Sequence, residues 1–395
     1  MKSRPENELI LSIARRNIDR EEVRALAQTQ LDFDYLFDTA RAHGLLPLLQ
    51  KHATTAAGDL FPNHFLSRLK RESVFNSQNV LRLIARQLAI YKLLKQNGIR
   101  VAIFKGPLLA QLAYGDISLR QAGDIDVLIS REQFSRARDL LQSSGYQMTL
   151  ELTSSQLASH LTNHCEIQFM TDEWLTLLDL HWDLKPPSFV FKLSADEVMS
   201  RLQSVSLAGT EVETFGSEDL VLYQAMHGAK HLWRRLEWIT SMAESLRAMP
   251  DVDWDTIVAR AKNAHGTRIV GLGLRLVERF SDVHLPSRVL AALDSAGEMR
   301  QMSTRIREQI FSNSGAADST EANLYNLRVM DRKRDAMLAA LHAIFVPTVT
   351  DWQALALPDQ FHSLYYAFRP LRLSKVYSNT IWQRLKRVGR TERSG

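Results

Sequence analysis

The stretch Gly123-Asp124-Ile125-Asp126-Val127-Leu128-Ile129 constrains the fold of this chain more than any other. It sets two carboxylates at the mouth of an apolar, β-branched run that reads as a buried strand. Residues two apart on a strand face the same side, about 6.6 Å apart along it, so Asp124 and Asp126 point together. Neighbouring carboxylates at a buried strand end repel, and one is driven toward protonation unless a cation sits between them. A divalent metal resolves that conflict. Mg2+ suits the site because it prefers oxygen ligands, keeps several waters, and is commonly held by one or two carboxylates together with substrate phosphates. The plain alternative is a pair of solvated aspartates in a turn led by Gly123.

The neighbouring residues favour the metal. Arg100–Phe104 is a short β-rich run broken by Lys105-Gly106-Pro107, after which LLAQLAYG resumes helical spacing. A strand-to-helix turn of this kind presents free N–H groups and a helix dipole to a phosphate. Pro107 removes one donor but suits a first helical position, and the Lys105 ammonium supplies a point charge for a triphosphate. Arg120 is a second candidate cation, or else the partner of Asp116 or Asp124 in a structural ion pair.

Apolar spacing divides the chain. Residues 7 to about 97 are helical in pattern, with Gly98 placed as a left-handed terminator. Strands are expected at Asp124–Ile129, Tyr146–Leu150, Cys165–Met170 and Leu175–Trp182, the last two joined by a short hairpin-like link through Asp172 and Glu173, with a helix from about Arg131 to Ser143. Beyond Pro186-Pro187 only helices are expected, among them one continuous helix from an N-cap at Ser217 to about Met249. The division is 1–97 helical, 98–187 a mixed core, 188–345 helical, and 346–395 a basic, aromatic tail.

A chain of 395 residues with 45% apolar and 24% charged residues has the composition of a globular protein of two or three domains. One cysteine, Cys165, excludes an internal disulfide framework, and it reads as a buried thiol. MKSRPENELILSIARRN lacks the apolar stretch of a secretory signal, and no run reaches the roughly 20 residues of a bilayer span, so a cytoplasmic location is expected. The net charge of +5 sits in one place: Arg369–Gly395 alone carries +7. The remainder is close to neutral, which argues against a nucleic-acid partner. The tail mixes cations with Phe368, Tyr377 and Trp382, which suits an anionic acceptor or an anionic membrane surface and could bring the protein to the inner face of the membrane; a solvated terminus is the ordinary reading.

The string FKGPLLAQLAYGDISLRQAGDIDVLIS, from Phe104 to Ser130, resembles the signature of the bacterial family described as uncharacterised nucleotidyltransferases. ARAHGLLPLL, DLHWDL, HGAKHLWRRLEWI and the following VDW resemble further landmarks, over roughly residues 35 to 290. The resemblance implies an α+β fold in which a small mixed sheet of nucleotidyltransferase type is flanked by helical regions. It implies that Asp124, Asp126 and a third carboxylate, Asp179, hold two Mg2+ ions, that Lys105 and Gly106 with Arg120 bind a nucleoside triphosphate, and that a nucleoside monophosphate passes to an acceptor hydroxyl. Asp179 would bind one metal and accept the hydroxyl proton. Two departures stand out: Lys105-Gly106-Pro107 replaces the Gly-Ser turn common in the wider superfamily, and Ser241 stands near a place where relatives often carry an aspartate.

Other residues fall around this set. His181 alternates with Asp179 and faces the same side, either orienting the carboxylate or making a structural hydrogen bond. Glu166 is a reserve ligand or base. His227 and His231, four apart on a helix, have zinc-like spacing but lack a metalloprotease glutamate, and are expected to line the cleft or serve packing. Two further readings stay open: a catalytically degenerate binding module, and a transferase acting on RNA or protein.

Overall fold

The computed structural model describes residues 4–171, 177–294, 296–311, 325 and 328–376. β1 (Val101–Ala102), β2 (Asp124–Ile129), β3 (Gln147–Met148), β4 (Glu166–Met170) and β5 (Leu177–His181) form one sheet in the order β1-β2-β5-β4-β3. β2 and β5 pair in parallel, and the other neighbours are antiparallel. The fold is α+β, a five-stranded mixed sheet flanked by many helices, as expected. The link through Asp172 and Glu173 lies outside the described residues.

β2 spans the expected residues, and every side chain after Asp124 is buried. One reason is the long helix Asn63–Gln96, whose Val80, Leu83, Ile84, Leu88, Tyr91 and Leu94 recur at three- and four-residue intervals and are buried along β2 and β1. The helix also fixes the backbone leading into β2. Asn76 Nδ2 donates to the Ser118 carbonyl (3.0 Å), Asn79 Nδ2 to the Ala122 carbonyl (2.8 Å), and Gln87 Nε2 to the Asp126 carbonyl (3.2 Å). Three side-chain amides therefore satisfy backbone carbonyls in and before β2.

Three expectations change. Strands are not confined to the central block: β6 (Gln203–Leu207) and β7 (Thr210–Thr214) form an antiparallel hairpin in a stretch read as helical. Its signal is the alternation QSVSL and TEVET around Ala208-Gly209, both of which take positive φ as a two-residue hairpin turn requires. The Ile103 N–H donates to the Glu213 carbonyl (2.9 Å), which ties the hairpin to the chain just after β1. Helix Ser217–Lys230 is capped by Gly216, so Ser217 is its first residue rather than its cap.

The third change is the long helix after Ser217, which is two helices, Ser217–Lys230 and Leu236–Ala248. Leu232 and Trp233 between them take positive φ (59° and 51°), a strained conformation for bulky residues. Burial compensates: Trp233 is fully buried against Gly228 and Gly273, and a Cβ on Gly228 would lie 2.4 Å from the indole. Helical spacing continues through this break, so local pattern does not reveal it.

By its internal contacts the chain forms two compact units, one of residues 1–149, 166–184 and 191–331, the other of 150–165, 185–190 and 332–395. All five strands and the hairpin belong to the first. The second contains helices Ser154–Asn163, Lys333–Phe345 and Val349–Ala354, with Asp351 fully buried between Arg369 (2.6 Å) and Arg372 (2.5 Å). The division at 97, 187 and 345 stays a proposal about organisation.

Filling the tryptophan slot tests the helix break. Gly228→Val is expected to destabilise the protein by about 1–3 kcal/mol through overpacking. Chemical denaturation followed by tryptophan fluorescence reads this; an unchanged midpoint would mean that the slot does not hold Trp233 in place.

Candidate active site

Strand register builds the site. Asp126 on β2 lies opposite Asp179 on β5, and Glu166 on β4 lies opposite His181 on β5. Directly opposed residues share a face, and so do residues two apart, so Asp124, Asp126, Asp179, His181 and Glu166 all project from one side of the sheet. Ligand atoms of Asp126, Asp179 and His181 lie within 4.8 Å of one another, and all three residues are buried. Asp179 is thus brought to Asp126, while Asp124 shares the face of the sheet without belonging to that close group.

The cations are shared unequally. Lys105 Nζ and His181 Nε2 both sit 2.8 Å from Asp126 Oδ1, and His181 Nδ1 lies 3.0 Å from Glu166 Oε2. The imidazole thus bridges two carboxylates. Burial pushes Asp126 up, but Lys105 and His181 outweigh it and hold the carboxyl at about 2. Burial likewise raises Glu166, and the His181 contact overcomes it and holds the group below the usual range. Burial opposes the charge on Lys105, yet Tyr223 and Asp126 raise its pKa well above the ordinary value.

Asp179 and Asp124 fare differently. Burial, then the charge of Asp126, pushes Asp179 up to about 6, with Glu166 and Asp124 adding to it against His181. Burial and Asp126 also raise Asp124. Asp179 Oδ1 is buried and has no hydrogen-bond partner among the described residues. A buried carboxylate oxygen without a partner is costly, and it is the kind of hard donor that Mg2+ takes. The oxygen set of Asp126 and Asp179 fits a divalent cation. His181 is committed to orienting Asp126.

Lys105-Gly106 leads into helix Gly106–Tyr114, and Gly106 takes φ +60°, which explains a glycine there. A column of rings borders the cluster: Phe104 lies 5.2 Å from His181 and 5.1 Å from Tyr223, followed by His227 (5.7 Å from Tyr223), His231 (4.7 Å from His227) and Trp238 (5.1 Å from His231). Burial and then Lys105 push His227 well below its ordinary pKa; burial and then Lys230 bring His231 to about 4. Both are neutral at pH 7. Neither belongs to a metal-ligating cluster among the described residues.

Arg120 binds neither of the partners considered from sequence. Its Nη2 lies 2.9 Å from Glu237 Oε1, while Arg235 Nη2 lies 2.8 Å from Glu237 Oε2. Asp116 instead accepts from the Ser118 N–H (2.9 Å). The Glu237 N–H donates to the His43 carbonyl (3.2 Å), so the ARAHGLL segment meets RRLEW here. Sequence pattern singles out neither Glu237 nor Tyr223. Ser241 is buried in helix Leu236–Ala248.

Residues 29–282, more than half of the chain, match the family described as uncharacterised nucleotidyltransferase. The chain belongs to that family. Among curated proteins no relative matches. Among solved structures, the solution structure of the antibiotic-resistance factor ANT(2'')-Ia is similar at 13% identity, covering 48% of this chain and 91% of that one, with a TM-score of 0.32.

The charge imbalance of this nucleotidyltransferase has a consequence for stability. Asp179 has a folded pKa of about 6 against an ordinary 3.8, so it holds its proton more tightly when folded. Its contribution to stability is therefore present below about 4 and lost as pH rises through about 6. Asp179→Asn removes the repulsion and is expected to raise Tm by about 2–4 °C at pH 7.5 without metal, but not at pH 4. Mg2+ is expected to raise the Tm of the wild type and not that of the variant. A lower Tm for the variant at pH 7.5 without metal would contradict this electrostatic account.

Proposed function

We propose that this chain is a Mg2+-dependent nucleotidyltransferase that passes a nucleoside monophosphate from a nucleoside triphosphate to a hydroxyl of a small-molecule, glycan or peptide acceptor, with pyrophosphate released. The observation that carries the reading is the buried, unpartnered Asp179 Oδ1 beside Asp126 across β2 and β5. Asp124, Asp126 and Asp179 would hold the metal, two ions in the fullest form. When bound, Mg2+ neutralises charge on the attacking and leaving oxygens.

The protein groups divide the remaining work. Asp179, with a pKa near 6, is matched to accept the proton of an attacking hydroxyl at neutral pH. His181 fixes the Asp126 carboxylate and is itself fixed by Glu166. Lys105 is a point charge on a flexible stem at the Gly106 turn, suited to a triphosphate. Arg120, held by Glu237, can offer its remaining N–H groups to the same phosphates. The neutral rings of His227 and His231 provide hydrogen bonding for nucleotide or acceptor without adding charge.

A second reading has its own support. Lys105 already neutralises Asp126, as would suit a degenerate site used only for binding. Transfer to RNA or protein is a third. Labelled nucleoside triphosphates, Mg2+ and candidate acceptors distinguish them. The transferase reading expects metal-dependent triphosphate binding and pyrophosphate release, with turnover falling about a thousandfold or more in Asp126→Asn and Asp179→Asn. No triphosphate binding at millimolar Mg2+ would rule it out, and label in tRNA or a protein band would move the acceptor to the third class.

A further inference from the structure

We propose that the unit containing residues 332–395 docks on an anionic lipid surface through the exposed face of helix Lys333–Phe345. Among the described residues, fourteen large apolar side chains are exposed, and eleven of them fall between Met337 and Val376. The other three, Val74, Phe75 and Leu81, lie on the long helix Asn63–Gln96. Among the described residues, exposure of this kind is thus concentrated in one short part of the chain.

The pattern on the helix is ordered. Met337, Leu338, Leu341, Ile344 and Phe345 are each more than 40% exposed. At about 100° per residue they fall within an arc of about 120°, the width of a stripe that normally packs against a core. Asp335 and Ala336, on the opposite side, are the residues of this helix that are buried. The helix thus buries its narrow side and presents its apolar stripe to solvent.

Charge selects the occupant. Arg332, Lys333 and Arg334 are consecutive and exposed at the start of the helix, where the macrodipole already carries partial positive charge. Three cations there gain little from the helix itself and attract anions. From Arg332 to Gly395 the sequence carries eleven Lys and Arg against four Asp and Glu, a net +7, whereas the whole chain is +5. A second copy docked on this face would bring like charge against like charge. An anionic bilayer offers both an apolar interior for the stripe and phosphates for the cations, the combination that holds an interfacial helix. No helix among the described residues is long and apolar enough to cross a membrane, so the attachment is to the surface.

This inference stands apart from the transfer reaction, since vesicle binding is read without turnover. The full chain is floated with phosphatidylcholine vesicles or with vesicles containing about 30% phosphatidylglycerol, at low and high salt. It is expected to float with the anionic vesicles, and about tenfold less with neutral ones or in about 0.5 M NaCl. Leu341→Glu/Phe345→Glu, both at exposed positions, is expected to reduce binding about tenfold at unchanged Tm, while Leu81→Glu leaves it unchanged. Removing residues 377–395 is expected to weaken binding by loss of charge. Equal binding to both vesicle types, no effect of the double substitution, or stronger binding after removal of the tail, which would make the tail itself the cover of this face, would each overturn the proposal. So would a dimer in light scattering that the double substitution dissociates.

Discussion

Parallel pairing of β2 with β5 sets the carboxylates of Asp126 and Asp179 side by side in a buried place, and much of the surrounding structure answers that repulsion. Neighbouring like charges cannot both be ionised cheaply away from water. The protein satisfies one of them fully, through Lys105 and His181 on the same oxygen of Asp126, and leaves the other with a pKa near 6. The two acids are thereby separated in protonation behaviour, as the proposed roles of metal ligand and proton acceptor require.

The scaffold around the pair restricts how far this arrangement can relax. Helix Asn63–Gln96 holds the backbone of β2 through side-chain amides, and β4 holds β5 in register so that Glu166 reaches His181. The ring column from Phe104 to Trp238 borders the cluster with groups that are neutral at pH 7. Low local polarity strengthens every remaining charge interaction. The break at Leu232-Trp233 belongs to the same design, because it turns helix Leu236–Ala248 back so that Glu237 meets Arg120.

Much of this is legible in the sequence, for a physical reason. The alternation of β2 is short-range, and the period of a strand alone puts its two aspartates on one face. Asp179 requires the family resemblance, since nothing local distinguishes it from an edge-strand acid. The hairpin Gln203–Thr214 has a local signal, alternation around Ala208-Gly209, which the surrounding helical pattern obscures. The partner of Arg120 and the break at Trp233 have none. The first depends on Glu237, far away in sequence, and the second on Gly273 as well as the nearer Gly228, and no spacing rule pairs either set.

The central claim is that Asp126 and Asp179 together form a divalent-cation site. Anomalous diffraction from crystals soaked with Mn2+ and a non-hydrolysable nucleoside triphosphate tests it most directly. The account predicts a metal peak between those two carboxylates, with Asp179 Oδ1 among its ligands. Absence of any peak there, with Lys105 still bonded to Asp126 and Asp179 protonated, would contradict it.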